Sequence, residues 1–271
     1  MIIGFRHDII TVSKLSKKSD SFVNKKINYK SLLIIAILAI SYHIYISQIM
    51  GNEGDLEFGN VAYGLSALVS GIAALYVGIR YRGSDIFGVT YTALGIGFLL
   101  LFAGDATYNY YEYVLDEDPY PSIADVFFIL YYPFVAYHLI RNIRYFKKDL
   151  SIELKLGIST LTVIIVLLFA IISFDEVEGH SFDFYFGLLF VFGSSVILSL
   201  AICGVAIFRQ SLLGIAWLLL AIGIFIFTFA EVWYYYIELT EQYSNDHVIN
   251  TLWVLSFMII VYALYKHKKI I

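Results

Sequence analysis

The chain has 271 residues, 60% of them hydrophobic and only 15% charged, with a formal net charge of −4 at neutral pH. Soluble globular domains carry about 25% charged residues, so this composition excludes a water-soluble fold and specifies a membrane protein. An acidic chain of this kind is expected to have the lipid bilayer, and no nucleic acid, as a partner.

Residues 1–30 are polar and basic, with Ile2, Ile3, Phe5, Ile9, Ile10, Val12 and Leu15 among the basic positions. They read either as a segment lying on the inner membrane surface against anionic lipid or as a disordered basic tail. With no short apolar core and no small-residue cleavage site, no removable signal peptide is expected. Eight apolar segments follow, at about 31–50, 59–79, 86–111, 122–142, 154–173, 184–207, 212–236 and 248–266. Each is near the roughly 20 residues that an α-helix needs to cross about 30 Å of hydrocarbon. The expected fold is therefore all-α, a polytopic bundle of eight transmembrane helices.

All 18 Lys and Arg residues fall on one side of these segments. Loops rich in Lys and Arg stay in the cytoplasm, so both termini are expected there, with the protein in the cell membrane. The opposite connections are acidic: Glu53, Asp55 and Glu57; Glu112, Asp116, Glu117 and Asp118; Asp175, Glu176, Glu178 and Asp183; Glu238, Glu241 and Asp246. A rim of one sign concentrates the opposite ion, so this outer face either attracts cations or is acidic simply because basic residues are excluded from it.

Within the helices, His43 reads as a packed, hydrogen-bonding residue. Gly64, Gly71 and Gly78, seven apart, form a groove that admits another helix. Pro133 frees a carbonyl one turn earlier and is expected to kink the fourth helix. His138, beside Arg141, is expected at the inner interface. The single cysteine, Cys203, cannot form an intramolecular disulfide.

The most informative stretch runs from Gly104 to His138. Asp105 lies inside an apolar helix, about 12 Å along it from Tyr113 at roughly 1.5 Å per residue. An ionisable group at such depth costs about 2.5–3.5 kcal/mol on insertion scales, so it faces protein or water and often marks function. Asp105, Tyr108 and Glu112 follow i, i+3, i+7 spacing and share one helix face. Glu231, Tyr234 and Glu238 repeat that ladder 126 residues later, and Gly97 matches Gly223 in the same register. After one residue is lost from the loop, Asp125 meets Asn250. Each half reads as helix, acidic loop, Gly-containing helix, basic turn, acid-bearing helix, acidic loop and final helix.

This predicts a parallel 4+4 internal repeat, with residues 31–148 and 149–271 as its halves and its axis along the membrane normal. The two ladders then face the bundle centre, where proton uptake or hydrogen-bond donation is the expected chemistry. The alternative is that the acids, neutral or paired, only lock helix contacts. Ser122 to Asp125 reads S-x-x-D behind Pro119 and Pro121, a capping box, with pocket lining a compatible second role for Asp125. Tyr108, Tyr110, Tyr111 and Tyr113, like Trp233 to Tyr236, sit where an interfacial aromatic belt belongs.

Several chemistries find no residues. No Lys lies in the apolar interior of a segment to form a Schiff base, and there is no H-E-x-x-H, G-x-S-x-G, P-loop or paired aspartate run. The six histidines include no pair at helix spacing, so no zinc set is expected. An enzyme is the less favoured class, and no catalytic residue, metal ligand or cofactor is assigned.

The run from Gly104 to Pro133, GD followed by tyrosines and PYPSIADVFFILYYP, resembles a motif of uncharacterised multi-helix membrane regions of bacteria and archaea. Some of these precede diguanylate cyclase or kinase domains and are taken as sensory input modules. The resemblance implies motif roles for Asp105, Pro121, Ser122, Asp125 and Pro133. No output domain is expected on this chain, so a sensory role implies a signalling partner protein.

The expected function is a sensor-like or small-ligand-binding module. Its pocket would open outward between the third, fourth, seventh and eighth helices and take a small molecule or cation. Asp105, Tyr108, Glu112, Asp125, Glu231, Tyr234, Glu238 and Asn250 are its expected lining. The alternative is a proton- or cation-coupled transporter using the same acids, and the third reading is an intramembrane enzyme.

Overall fold

The structure, a computed structural model, describes residues 27–48, 56–174, 181–244 and 246–268. The basic segment through residue 26, the acids Glu53, Asp55, Asp175, Glu176 and Glu178, and the side chain of Glu57 lie outside the described residues. Among the described residues every regular element is helical: α1 (Tyr29–Gln48), α2 (Leu56–Arg80), α3 (Phe87–Tyr110), α4 (Ile123–Phe146), α5 (Ile152–Phe174), α6 (Phe182–Phe208), α7 (Gly214–Leu239) and α8 (Val248–Lys268). All eight are long and apolar enough to cross a membrane. Hydrocarbon offers no partner to a backbone N–H or C=O, and an α-helix satisfies both internally. Large apolar side chains point outward, among them Leu33 and Ile37 on α1 and Leu167 and Ile171 on α5. Such a surface suits acyl chains and not water, and the chain is an integral, multi-pass membrane protein.

Six helices close a ring in the order α2, α3, α4, α6, α7, α8, with α8 returning to α2. Helix α1 packs outside the ring on α8, and α5 packs outside it on α6. These two are accordingly the least buried of the eight. His43 fixes α1 through a 3.1 Å contact between its Nδ1 and Thr251 Oγ1 on α8.

Glycines set the closest approaches. A Cβ at Gly71 would lie 3.2 Å from the Gly95 carbonyl oxygen, and one at Gly78 would lie 2.9 Å from the Thr92 nitrogen. Any side chain at Gly64 would overlap the Asp105 carboxyl. The glycine stripe of α2 is thus the seat of α3. Gly97 packs on α4 against Tyr131 O and Val135, and Gly223 packs on α8 against Ser256 O and Ile260.

Helix α4 spans Ile123 to Phe146 with Pro133 inside it, and one expectation about this helix is corrected. His138 is not interfacial but fully buried. Its Nδ1 lies 3.0 Å from the Thr90 carbonyl, and its ring lies parallel to Trp217 (6.0 Å, 13°) and edge-on to Tyr91 (4.6 Å). The reason is azimuth: His138 shares a face with the buried Tyr131, Val135 and Asn142, whereas nearness to exposed Arg141 reports only depth.

Candidate functional site

Arg82, Arg141, Arg144 and Arg209 collect at one end of the bundle, and the acidic connections lie at the other. At the acidic end the ring encloses a cavity of about 570 Å³. All eight side chains singled out from the sequence line it: Asp105, Tyr108, Glu112, Asp125, Glu231, Tyr234, Glu238 and Asn250.

Helix α3 supplies Asp105 and Tyr108, and a π-helical turn over Tyr111–Leu115 carries Glu112. The wider turn ends at Asp116 in the left-handed region (φ 54°) and still leaves Glu112 on the cavity face. Asp105 is half-buried on Gly64, beside Asn109, whose amide donates to the Asp105 backbone oxygen (2.8 Å). Glu231 is buried, at 7% exposure, and accepts a 2.8 Å hydrogen bond from the Tyr132 hydroxyl of α4. The Trp253 indole N–H faces the same carboxyl without closing a hydrogen bond. Tyr63 of α2 stands within electrostatic reach of both Glu231 and Asp105.

Asp125 has both roles that its sequence context allows. Its Oδ2 accepts from the Ser122 N–H (2.7 Å), while Ser122 Oγ accepts from the Ala124 N–H (3.1 Å), completing the capping box. It also lines the cavity. Asn250 accepts from the Tyr243 hydroxyl (3.1 Å). Above the helices, Tyr120 donates to Asp183 (2.8 Å); burial first, then this acidic partner, push its phenol pKa up. Burial likewise pushes Tyr243 up to about 12. Both are neutral hydroxyls at physiological pH.

The cavity is not confined to α3, α4, α7 and α8, as the sequence suggested. Tyr63 of α2 and Asp183, Phe186 and Phe190 of α6 also line it, so all six ring helices contribute. The ladders of α3 and α7 were visible because a carboxyl stands out in an apolar helix. An aromatic residue in an otherwise apolar helix carries no such contrast, and the azimuth of α2 and α6 is set by partners distant in sequence. Tyr132 was missed because Tyr131 stands beside it and spacing alone does not choose between them. Of the aromatic belt, Tyr110 and Tyr113 are exposed, while Tyr108, Tyr234 and Tyr235 turn inward to the cavity.

Tyr132→Phe is expected to destabilise the protein by about 1–3 kcal/mol, because it leaves a buried acceptor without its donor. Glu231→Gln, which still accepts, is expected to cost less. Unfolding in mixed micelles with increasing dodecyl sulfate measures both, and equal losses would show that the hydrogen bond is not what holds Glu231.

The chain matches no family model, and neither a curated protein nor a solved structure is similar to it.

Proposed function

We propose that this protein is a receptor-like membrane module that binds a small molecule in the acidic, aromatic chamber. The observation that carries this reading is the convergence of eight acid, phenol and amide side chains, distant in sequence, on one cavity of about 570 Å³. Small-molecule sites are concave, mostly apolar and aromatic, with a few converging polar groups, in the range of about 300–1,000 Å³. The chamber has that make-up, with Leu101, Phe128, Phe186 and Leu239 between the acids.

The same reading takes the bundle as a 4+4 repeat in the cell membrane, with the chamber outside and both termini in the cytoplasm. Placement of every basic residue on one side supports the orientation. The helix contacts support the repeat: α2 on α3 answers α6 on α7, α3 on α4 answers α7 on α8, and α4 on α6 answers α8 on α2. So do Gly97 and Gly223, whose contacts, Tyr131 O and Val135 against Ser256 O and Ile260, are equivalent after a shift of 125 residues. The resemblance of Gly104–Pro133 to regions found ahead of signalling domains favours sensing, with output through a separate signalling protein.

A carboxyl inside a membrane span in each half is also what a proton- or cation-coupled carrier uses. Proteoliposomes holding a pH-sensitive dye, subjected to Na⁺, K⁺ and proton gradients, separate the two. The receptor reading expects no flux above empty vesicles. Flux that disappears in Asp105→Asn or Glu231→Gln would replace it with the carrier.

A further inference from the structure

We infer that the chamber takes an organic ammonium ion, held by its carboxylates and by a continuous belt of aromatic rings. This inference rests on the chamber being a ligand site and names the class of ligand.

Charge gives the first argument. Seven carboxyl groups line the chamber, and among its described lining residues there is no Lys, Arg or His. Tyr132 is a neutral donor, so an ionised Glu231 has no cation in the chamber wall to balance it. A buried carboxylate is costly unless it is paired, and nothing in the wall pairs it.

The rings say which kind of cation. Tyr63 and Trp253 stand 5.2 Å apart, Trp253 and Tyr234 5.2 Å, Tyr234 and Tyr235 5.1 Å, and Tyr235 and Phe190 5.0 Å, closing on Tyr132 at 5.9 Å. Glu231 adjoins the belt: it precedes two of its members, Tyr234 and Tyr235, by one helical turn on α7 and is bonded to the last of them, Tyr132. Aromatic faces attract ammonium groups, most strongly when water is excluded, and cages of this make-up recognise methylated ammonium. A bare metal ion asks for something else. Ca²⁺ takes about 6–8 oxygen ligands and Mg²⁺ a tight octahedron. Among the described residues no three His, Cys, Asp or Glu side chains converge as a metal-binding set, in spite of the number of acids. The acids are spread around a volume that suits an organic molecule.

A second, independent observation points to an occupant. Asn109 Oδ1, on the chamber wall, is buried with no donor, and the indole N–H of Trp253, nine-tenths buried, faces Glu231 without closing a hydrogen bond on it. Buried polar groups in native proteins are nearly always satisfied by protein, water or ligand. An ammonium that also carries a hydroxyl or carbonyl group would serve both.

Calorimetric titration of the detergent-purified protein tests this with benzyltrimethylammonium, choline, K⁺ and the uncharged choline analogue 3,3-dimethylbutanol. Saturable binding of at least one ammonium is expected, with no binding of K⁺ and at least about tenfold weaker binding of the alcohol. Glu231→Gln is expected to weaken the ammonium by about tenfold or more, and Trp253→Leu to weaken it while Trp253→Phe retains it. Asp105→Asn serves in place of Glu231→Gln if the latter does not fold. If the alcohol binds as tightly as the ammonium, the charge inference falls and the chamber remains a ligand site. If neither binds, both fall.

Discussion

Trp217→Ala is expected to lower the unfolding free energy by about 3 kcal/mol, the low end of the roughly 3–5 kcal/mol typical of a buried Trp or Phe cut to Ala. The low end applies because lipid tails are as apolar as the protein interior, so little transfer free energy is lost and the packing part remains. That part is large here. Trp217 is 1% exposed, lies parallel to Phe208 (4.4 Å, 15°) and to His138 (6.0 Å, 13°), and is seated on Gly204, where any Cβ would overlap the indole. One side chain of α7 thus ties α6 to α4 near the basic end. Trp217→Phe, which refills much of the hole, is expected to lose less than half as much. Trp233, partly exposed, is the control: if Trp217→Ala costs no more than Trp233→Ala in dodecyl sulfate unfolding, this cluster does not hold the ring together.

The same residues show what a sequence discloses of such a fold. Hydropathy reads spans well, because the length of hydrocarbon to be crossed is fixed and each helix meets it alone. The eight helices accordingly fall on the eight apolar segments, with α2, α4 and α7 running a few residues beyond the apolar cores. The inward face of α3 and α7 was legible too, because Asp105 and Glu231 break an apolar pattern at a fixed spacing from Tyr108 and Tyr234. What each face meets was not legible. His138 and Tyr132 are placed by the packing of α4 against α3, α6 and α7, which no periodicity within α4 records. The glycines of α2 announced a close neighbour, but only the fold names it as α3 and sets Asp105 on Gly64.

That contact leads to the second large effect. Gly64→Ala is expected to destabilise the protein by about 1–3 kcal/mol, the usual cost of forcing a methyl group into a filled site. The methyl group would occupy the space of the Asp105 carboxyl, so α2 and α3 must part or Asp105 must leave its seat. The loss should therefore belong to the pair. In a double-mutant cycle, Gly64→Ala with Asp105→Ala is expected to recover part of it, with a coupling of about 0.5–3 kcal/mol. Strict additivity would mean that the helix backbones, and not this side chain, resist the methyl group. The two acids at matching points of the ladders are thus held by different means, Asp105 by the shape of the opposing helix and Glu231 by the Tyr132 hydroxyl. Gly64→Ala should accordingly couple to Asp105 and add independently with Tyr132→Phe. Coupling between those two substitutions would instead show that both acids move as one unit of the chamber wall.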